Sequence, residues 1–289
     1  MGRKRKGTAD DGAPAAGSGP AEGRYPIDTG EAELVADDDN PSGWLLKLNG
    51  VQSSHIDLAD PLRLEFEYMR WMAALIRSRW EDTSRLRALH LGGGACSMAR
   101  YLAAAYPQAR QVVVEIDGRL AELVRGWFDL PRAPLLRIRV GEARQVTESL
   151  SEGSRDLIIR DVFAGAFTPV PLTTLEFTRA AGRVLAPGGI YMVNCGDSPD
   201  LAHARREAAT IASVFEHTVA IADPPMLKGR RYGNIIIAGS DADLGAGPSL
   251  SRDLLKDAMP AHCWDDAQVR RFGLGAALYR DAPGETPAG

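Results

Sequence analysis

Three acidic side chains stand just past short apolar runs, where a carboxylate is well placed to bind or deprotonate a ligand. Glu115 ends the run Gln111–Val114, Glu142 follows Leu135–Val140 by way of Gly141, and Asp161 follows Leu157-Ile158-Ile159 and Arg160. An earlier run, Leu86–Leu91, leads into Gly92-Gly93-Gly94-Ala95-Cys96-Ser97. Without Cβ atoms, such a loop lets backbone approach a ligand closely, and a helix opening after it offers free N–H groups there. Glu115 comes 21 residues after Gly94. A carboxylate at that spot can accept both hydroxyl protons of a ribose. The bland alternative is a tight turn followed by a solvated acid. Glu142 precedes Ala143 and Arg144 at a helix start, where it can favour the helix dipole or accept a proton from an adenine amino group. Asp161 can cap, pair with Arg160 or another arginine, or serve a site.

Other chemistries find no support in the residue pattern. The chain contains no HExxH, GxSxG or P-loop sequence. His55, His90, His203, His217 and His262 show no metal-ligand spacing, so no metal is expected. Cys96, Cys195 and Cys263 are odd in number and far apart, which suits reduced thiols better than a disulfide framework. Lys and Arg number 34 against 38 Asp and Glu, a net charge of −4, and four of the basic residues are Arg3, Lys4, Arg5 and Lys6. The remainder is acidic, so no nucleic-acid partner is expected. No apolar run reaches the ~18 residues of a membrane span, so no membrane partner is expected. The basic start has no apolar stretch after it and does not read as a signal peptide. A cytoplasmic location follows as the expectation.

The elements that must hold these residues form an α/β pattern. Residues 1–23 carry almost no large apolar side chain and read as a disordered tail. Order is expected to begin near Tyr25. Residues 24–60 read as a small β element: a strand over Glu31–Val35, a turn over Asp38–Gly43 and a strand from Trp44. Pro61 is expected to open a helix running to about Trp80. A Rossmann-like domain over 61–244 follows from strands at Leu86–Leu91, Gln111–Ile116, Leu135–Val140, Asp156–Ile159 and Ile190–Cys195, with helices between them. The helix across Leu172–Leu185 is expected to close at Pro187-Gly188-Gly189. Strands at His217–Ala222 and Tyr232–Ala238 have a short connection. The sheet is therefore expected to be mostly parallel, with an antiparallel last strand. A C-terminal extension over 245–289 is expected to hold short helices around Leu250–Met259 and Asp265–Arg271.

From about Trp44 to Ser240 the sequence resembles the spermidine synthase (polyamine aminopropyltransferase) family. The likeness rests on Leu48-Asn49-Gly50-Val51-Gln52, Phe66-Glu67-Tyr68, Leu89-His90-Leu91-Gly92-Gly93-Gly94, Val114-Glu115-Ile116-Asp117 and Ile158-Ile159-Arg160-Asp161, in that order. It is closer still to a divergent bacterial spermidine synthase-like group through Asp57-Leu58-Ala59-Asp60-Pro61 and Gly229-Arg230-Arg231-Tyr232-Gly233-Asn234. The resemblance implies the class I S-adenosylmethionine methyltransferase fold and a homodimer. It implies that Glu115 holds the ribose, Glu142 faces the adenine, and Gly92, Gly93 and Gly94 pass the sulfonium side. Ala143 and Gln52 join the same nucleoside site. Asp161 becomes the base that takes a proton from an attacking amine, and Tyr68 lines the amine channel. The co-substrate implied is decarboxylated S-adenosylmethionine, and the partner a small-molecule amine.

The amine half departs from the family pattern. Ala95 stands where the family's Gly-Gly-Gly-Asp-Gly has its aspartate. Asp161-Val162-Phe163-Ala164 lacks the second acid of Asp-x-x-Asp, and Met69 replaces a Gln or His. An ammonium left without its carboxylate loses roughly 2–5 kcal/mol. Glu67 and Asp197 are candidates to compensate. Two other readings remain open: transfer from intact S-adenosylmethionine by a methyltransferase or other alkyl transferase, with Arg230 and Arg231 suiting a carboxylate-bearing ligand, or an inactive nucleoside-binding homologue.

Overall fold

A computed structural model describes residues 19–165 and 167–282. The expected tail lies outside the described residues up to position 18. Its last residues differ from expectation, because Gly23 already opens a strand.

Four strands, not two, make the N-terminal sheet: β1 (Gly23–Ile27), β2 (Gly30–Asp37), β3 (Asn40–Leu48) and β4 (Val51–Asp57), antiparallel and paired in that order. β1 contains Pro26 and β4 opens Val-Gln-Ser-Ser, so neither shows the apolar alternation that marks a strand in sequence. Ile27, Leu34, Leu46 and Ile56 from this sheet share one apolar cluster with Ala95, Ala99, Leu120 and Trp127. The small sheet is thus cemented to the main one. Tyr25 meets Trp127 edge-on with ring centroids 4.8 Å apart.

The long helix α1 spans Glu67–Arg79. It does not start at Pro61: the Asp60 carboxylate accepts from Leu62 N at 2.9 Å and holds a turn there, and the helix opens only after Phe66, whose backbone is extended. Strands and helices then alternate: β5 (Arg87–Leu91), α2 (Ser97–Ala105), β6 (Arg110–Glu115), α3 (Gly118–Trp127), β7 (Leu136–Val140), α4 (Ala143–Glu148), β8 (Arg155–Arg160), α5 (Leu175–Val184), β9 (Leu185–Asp197) and α6 (Ala202–Ala212). After them come β10 (His217–Ala222), the short α7 (Pro224–Leu227), β11 (Gly233–Ser240), α8 (Pro248–Leu255), β12 (His262–Trp264) and α9 (Asp266–Phe272). Pro187-Gly188-Gly189 does not interrupt β9, which runs through it with Gly188 at φ +74°.

The main sheet has the order β12-β10-β11-β9-β8-β5-β6-β7. β9, β8, β5, β6 and β7 are parallel neighbours, while β11 lies antiparallel to both β9 and β10. The antiparallel strand expected last is therefore wedged inside the sheet. The edge belongs to β12, which pairs antiparallel with β10. This is the class I methyltransferase-like arrangement. Residues 245–282 are part of it, since β12 extends the sheet, α8 packs on α1 and α9 on α6. The inner strands are apolar on both faces because helices cover both: Leu157, Ile158 and Ile159 of β8 and Ile190–Val193 of β9 are all buried. His90 and Gln111 bridge β5 and β6 inside this core at 2.8 Å, and burial pushes the imidazole down to about 4, so it is neutral.

Candidate active site

In an open parallel sheet the helices shield both faces, and ligands are left the crevice beyond the carboxyl ends of the strands. Here those ends deliver Asp161 after β8, Gly92–Gly94 after β5, Glu115 at the end of β6 and Glu142 after β7. The ladder continues one bond past the strands, with Asp161 N donating to Leu91 O at 2.9 Å, Gly92 N to Val114 O at 3.0 Å and Gly141 N to Glu115 O at 2.9 Å. Adjacent strands lie ~4.8 Å apart, so Asp161 and Glu115 are separated by about 10 Å along the sheet edge.

The glycine loop is shaped by what surrounds it. A side chain at Gly92, which sits at φ +88°, would run into the Asp161 carbonyl oxygen, and one at Gly93 would meet Glu115 Oε2 at 3.0 Å. A Cβ at Gly94 would lie 2.6 Å from Ser54 Oγ of β4. The loop is therefore clasped between Asp161, Glu115 and the small sheet. Glu115 Oε2 accepts from Gly93 N at 3.0 Å and Gly94 N at 3.3 Å, and its Oε1 accepts from Asp117 N at 3.1 Å. Asp117 in turn caps α3 through Leu120 N at 2.7 Å and accepts from Thr29 N at 2.7 Å, tying the β1–β2 turn beside Glu115.

Asp161 is half-buried and is held at both carboxylate oxygens. Tyr68 Oη donates to its Oδ2 at 2.9 Å, and Asn194 Nδ2 donates to its Oδ1 at 3.0 Å. Burial pushes its carboxyl above the ordinary value, while those two hydrogen bonds and the charge of Arg160 pull it part of the way back. Burial holds the Tyr68 phenol far above its usual range, so it stays a proton donor. Arg160 does not pair with Asp161. Its guanidinium turns inward to Glu207 Oε1 at 2.6 Å and Leu172 O at 2.6 Å, anchoring the strand end to α6 and to the turn before α5. Removing one partner of such a buried pair costs about 3–5 kcal/mol.

The remaining expected residues lie further out. Glu142 is the N-cap of α4, its carboxylate accepting from Arg144 N at 2.9 Å and Gln145 N at 2.7 Å, and Ala143 is buried in the first turn. Gln52 is exposed on β4, two residues before Ser54, whose Oγ accepts from Ala95 N at 3.0 Å. Beside Glu115 and Glu142, Ile116 and Val140 are 63% and 56% exposed, an apolar surface of a kind that suits a nucleobase.

The amine side is mixed. Ala95 is fully buried in the apolar cluster beneath the small sheet, and Met69 is in the main core, so neither place has room for a solvated acid or amide. Ala164 N bonds back to Phe167 O at 2.9 Å. Asp197 is committed to the backbone: its two oxygens accept from Ser198 N at 2.8 Å and, in α6, Ala204 N at 2.7 Å. Glu67 is half-buried next to Tyr68, where its charge adds to the effects that raise the phenol. Arg231 is bound to Asp223 through two nitrogens, at 2.6 and 3.1 Å, and Arg230 is exposed. Arg231 is thus not a free anchor for a carboxylate ligand.

Sequence reasoning missed Asn194, Gly196, Phe163 and Tyr232. A Cβ at Gly196 would meet Phe163 Cε1 at 3.1 Å and Tyr232 Oη at 3.2 Å, so two aromatic side chains close over β9 next to Asp161. Nothing local marked them, because they meet only once β8, β9 and β11 are side by side. Asn194 Oδ1 is buried without a hydrogen-bond partner among the described residues, which costs about 1–3 kcal/mol unless a ligand supplies a donor. Among the described residues, no group of three or more His, Cys, Asp or Glu side chains is placed to hold a metal ion. None of their helices is long and apolar enough to cross a membrane.

No family model matches the chain. A crystal structure of a probable spermidine synthase from Corynebacterium glutamicum superposes with a TM-score of 0.87 and 50% identity, over 93% of this chain and 100% of that one. The polyamine aminopropyltransferase of Chromobacterium violaceum is 29% identical over 167 residues, 55% of this chain, and the match spans 60% of that protein's length. Human methyltransferase-like protein 13, solved in complex with SAH, shares the fold alone: TM-score 0.52 and 20% identity, over 70% of this chain and 96% of that one. On the strength of the first of these likenesses, which runs the full length of the solved chain, this chain belongs to the spermidine synthase family.

Proposed function

We propose that the chain transfers an aminopropyl group from decarboxylated S-adenosylmethionine to a small-molecule amine, with Asp161 as the general base. The observation that carries this reading is the half-buried Asp161 carboxylate, oriented by Tyr68 and Asn194, one strand from a glycine loop and two from Glu115. Glu115 holds the ribose hydroxyls, Gly92–Gly94 leave room for the sulfonium, and Glu142 with Ala143 meets the adenine. Gln52 closes the nucleoside side from β4, and Tyr68 lines the amine channel. Family likeness supports these roles, and so does the order of the strand ends.

The amine nitrogen attacks the propyl carbon bonded to sulfur. The N–C bond forms as the C–S bond breaks, sulfur keeps the electron pair as neutral methylthioadenosine, and the proton released from nitrogen goes to Asp161. The sulfonium is already a good leaving group, so catalysis is mostly alignment plus one proton transfer. A base whose pKa burial holds above the ordinary carboxylate value suits that task. The reading extends to a cytoplasmic homodimer, which light scattering on the purified protein tests.

The decisive assay supplies decarboxylated S-adenosylmethionine with a panel of primary amines and follows methylthioadenosine release. Wild-type protein is expected to release it, and Asp161→Asn to lose turnover while still binding methylthioadenosine. Release of S-adenosylhomocysteine from intact S-adenosylmethionine instead overturns the reading. The Arg231–Asp223 pair argues against that outcome.

A further inference from the structure

Asn194 lies on β9 with one end of its amide committed and the other idle. Its Nδ2 donates to Asp161 Oδ1 at 3.0 Å, the residue is 2% exposed, and its Oδ1 has no partner. A planar amide ties the two atoms together, so fixing Nδ2 on the carboxylate also fixes where Oδ1 faces, and that oxygen can only accept. Gly196, two residues along, shares the strand face. A Cβ there would meet the edges of Phe163 and Tyr232, so the glycine lets those two rings pack close on this face. A buried acceptor beside the acid, next to that aromatic wall, needs a donor that the described residues do not supply.

We infer that Asn194 Oδ1 receives one N–H of the attacking amine while Asp161 receives another, which makes Asn194 a residue that selects primary amines as acceptors. This rests on the aminopropyl-transfer reading. A neutral primary amine has two N–H bonds, one lone pair and one carbon arm. Two fixed acceptors, Asp161 and Asn194, set both N–H directions and so aim the lone pair at the propyl carbon. As the N–C bond forms, nitrogen becomes cationic and the N–H on Asp161 passes to the carboxylate. The C–S electron pair goes to sulfur, and the N–H on Asn194 stays in place. A secondary amine has a single N–H to offer. It leaves Oδ1 unpaired and its lone pair free to turn.

The test compares kcat/KM for the best primary alkylamine acceptor and its N-methyl counterpart, using decarboxylated S-adenosylmethionine as donor. Wild-type protein is expected to favour the primary amine by at least 30-fold. Asn194→Ala is expected to lower kcat/KM for the primary amine at least tenfold and shrink the preference to within threefold. Methylthioadenosine affinity within twofold of wild type shows that the variant is folded. An Asn194→Ala protein that keeps the wild-type preference overturns the inference. A wild-type protein that releases no methylthioadenosine with any amine instead overturns the underlying reading.

Discussion

The Tyr68 hydroxyl donates to Asp161 Oδ2 at 2.9 Å across 93 residues of sequence, joining the first turn of α1 to the end of β8. This bond favours the ionised carboxylate, and burial opposes it. Tyr68→Phe removes the favourable partner, so the Asp161 pKa rises further. With that carboxylate as the proposed base, activity lost as pH falls is expected to be lost at a higher pH in the variant. A hydrogen bond to a charged group is worth about 1.5–3 kcal/mol, which corresponds to about one to two pH units. The pH profile of kcat/KM is expected to show its acid limb displaced upward by that amount, with a lower plateau. An unmoved limb contradicts the role given to Tyr68.

Glu115 receives two backbone N–H groups of the glycine loop through Oε2. Glu115→Ala is expected to weaken methylthioadenosine binding by roughly 10–100-fold, since bonds to a charged group are lost. Calorimetry on a protein shown by circular dichroism to keep its fold reads this directly. Affinity unchanged within threefold argues that the ribose is held elsewhere.

Gly92→Ala tests how closely the loop is clasped to the acid. The new Cβ collides with the Asp161 backbone carbonyl at a φ of +88° that disfavours any side chain. A loss of about 1–3 kcal/mol in urea unfolding is expected, together with turnover depressed at least as far as nucleoside affinity. Gly126→Ala, inside α3 where nothing lies within 4 Å, is the control and is expected to leave turnover and affinity unchanged while gaining up to about 1 kcal/mol of stability.

Much of this architecture was readable from residue order alone. Apolar runs such as Leu157-Ile158-Ile159 and Gln111–Val114 announce strands covered on both faces, and the glycines and acids that follow them fall at strand ends by connectivity alone. Other features depended on contacts that no local pattern records. Pro61 marked a helix start that the Asp60 turn moved six residues on. β12 is three residues long and exists because β10 offers it an edge. Asn194 reads as one polar residue within an apolar strand, and only the parallel pairing of β9 with β8 brings it to Asp161. Asp197 is an acid at the end of β9, yet one of its oxygens accepts from Ser198 N and the other from Ala204 N of α6.

His90 gives the fold a pH dependence apart from the site. Its imidazole is buried and neutral, with a folded pKa of about 4 against an ordinary 6.5. The unfolded chain binds this proton first, so stability is expected to fall as pH drops from about 6.5 to about 4 and to level off below that, by about 3 kcal/mol in all. Carboxylates such as Asp57, lowered to about 2, act only beneath that window. Urea unfolding from pH 7 to pH 4 is expected to show a flatter profile for His90→Gln than for the parent. Identical slopes contradict a buried neutral histidine.

The account depends above all on a crevice shaped for the decarboxylated donor. Calorimetric titration with decarboxylated and intact S-adenosylmethionine, methylthioadenosine and S-adenosylhomocysteine measures that shape. Both ligands without a carboxylate are expected to bind at least tenfold tighter than their carboxylate-bearing counterparts, a gap of about 1.4 kcal/mol. Equal affinity for all four contradicts an aminopropyl site, and no binding by any of them contradicts the nucleoside pocket itself.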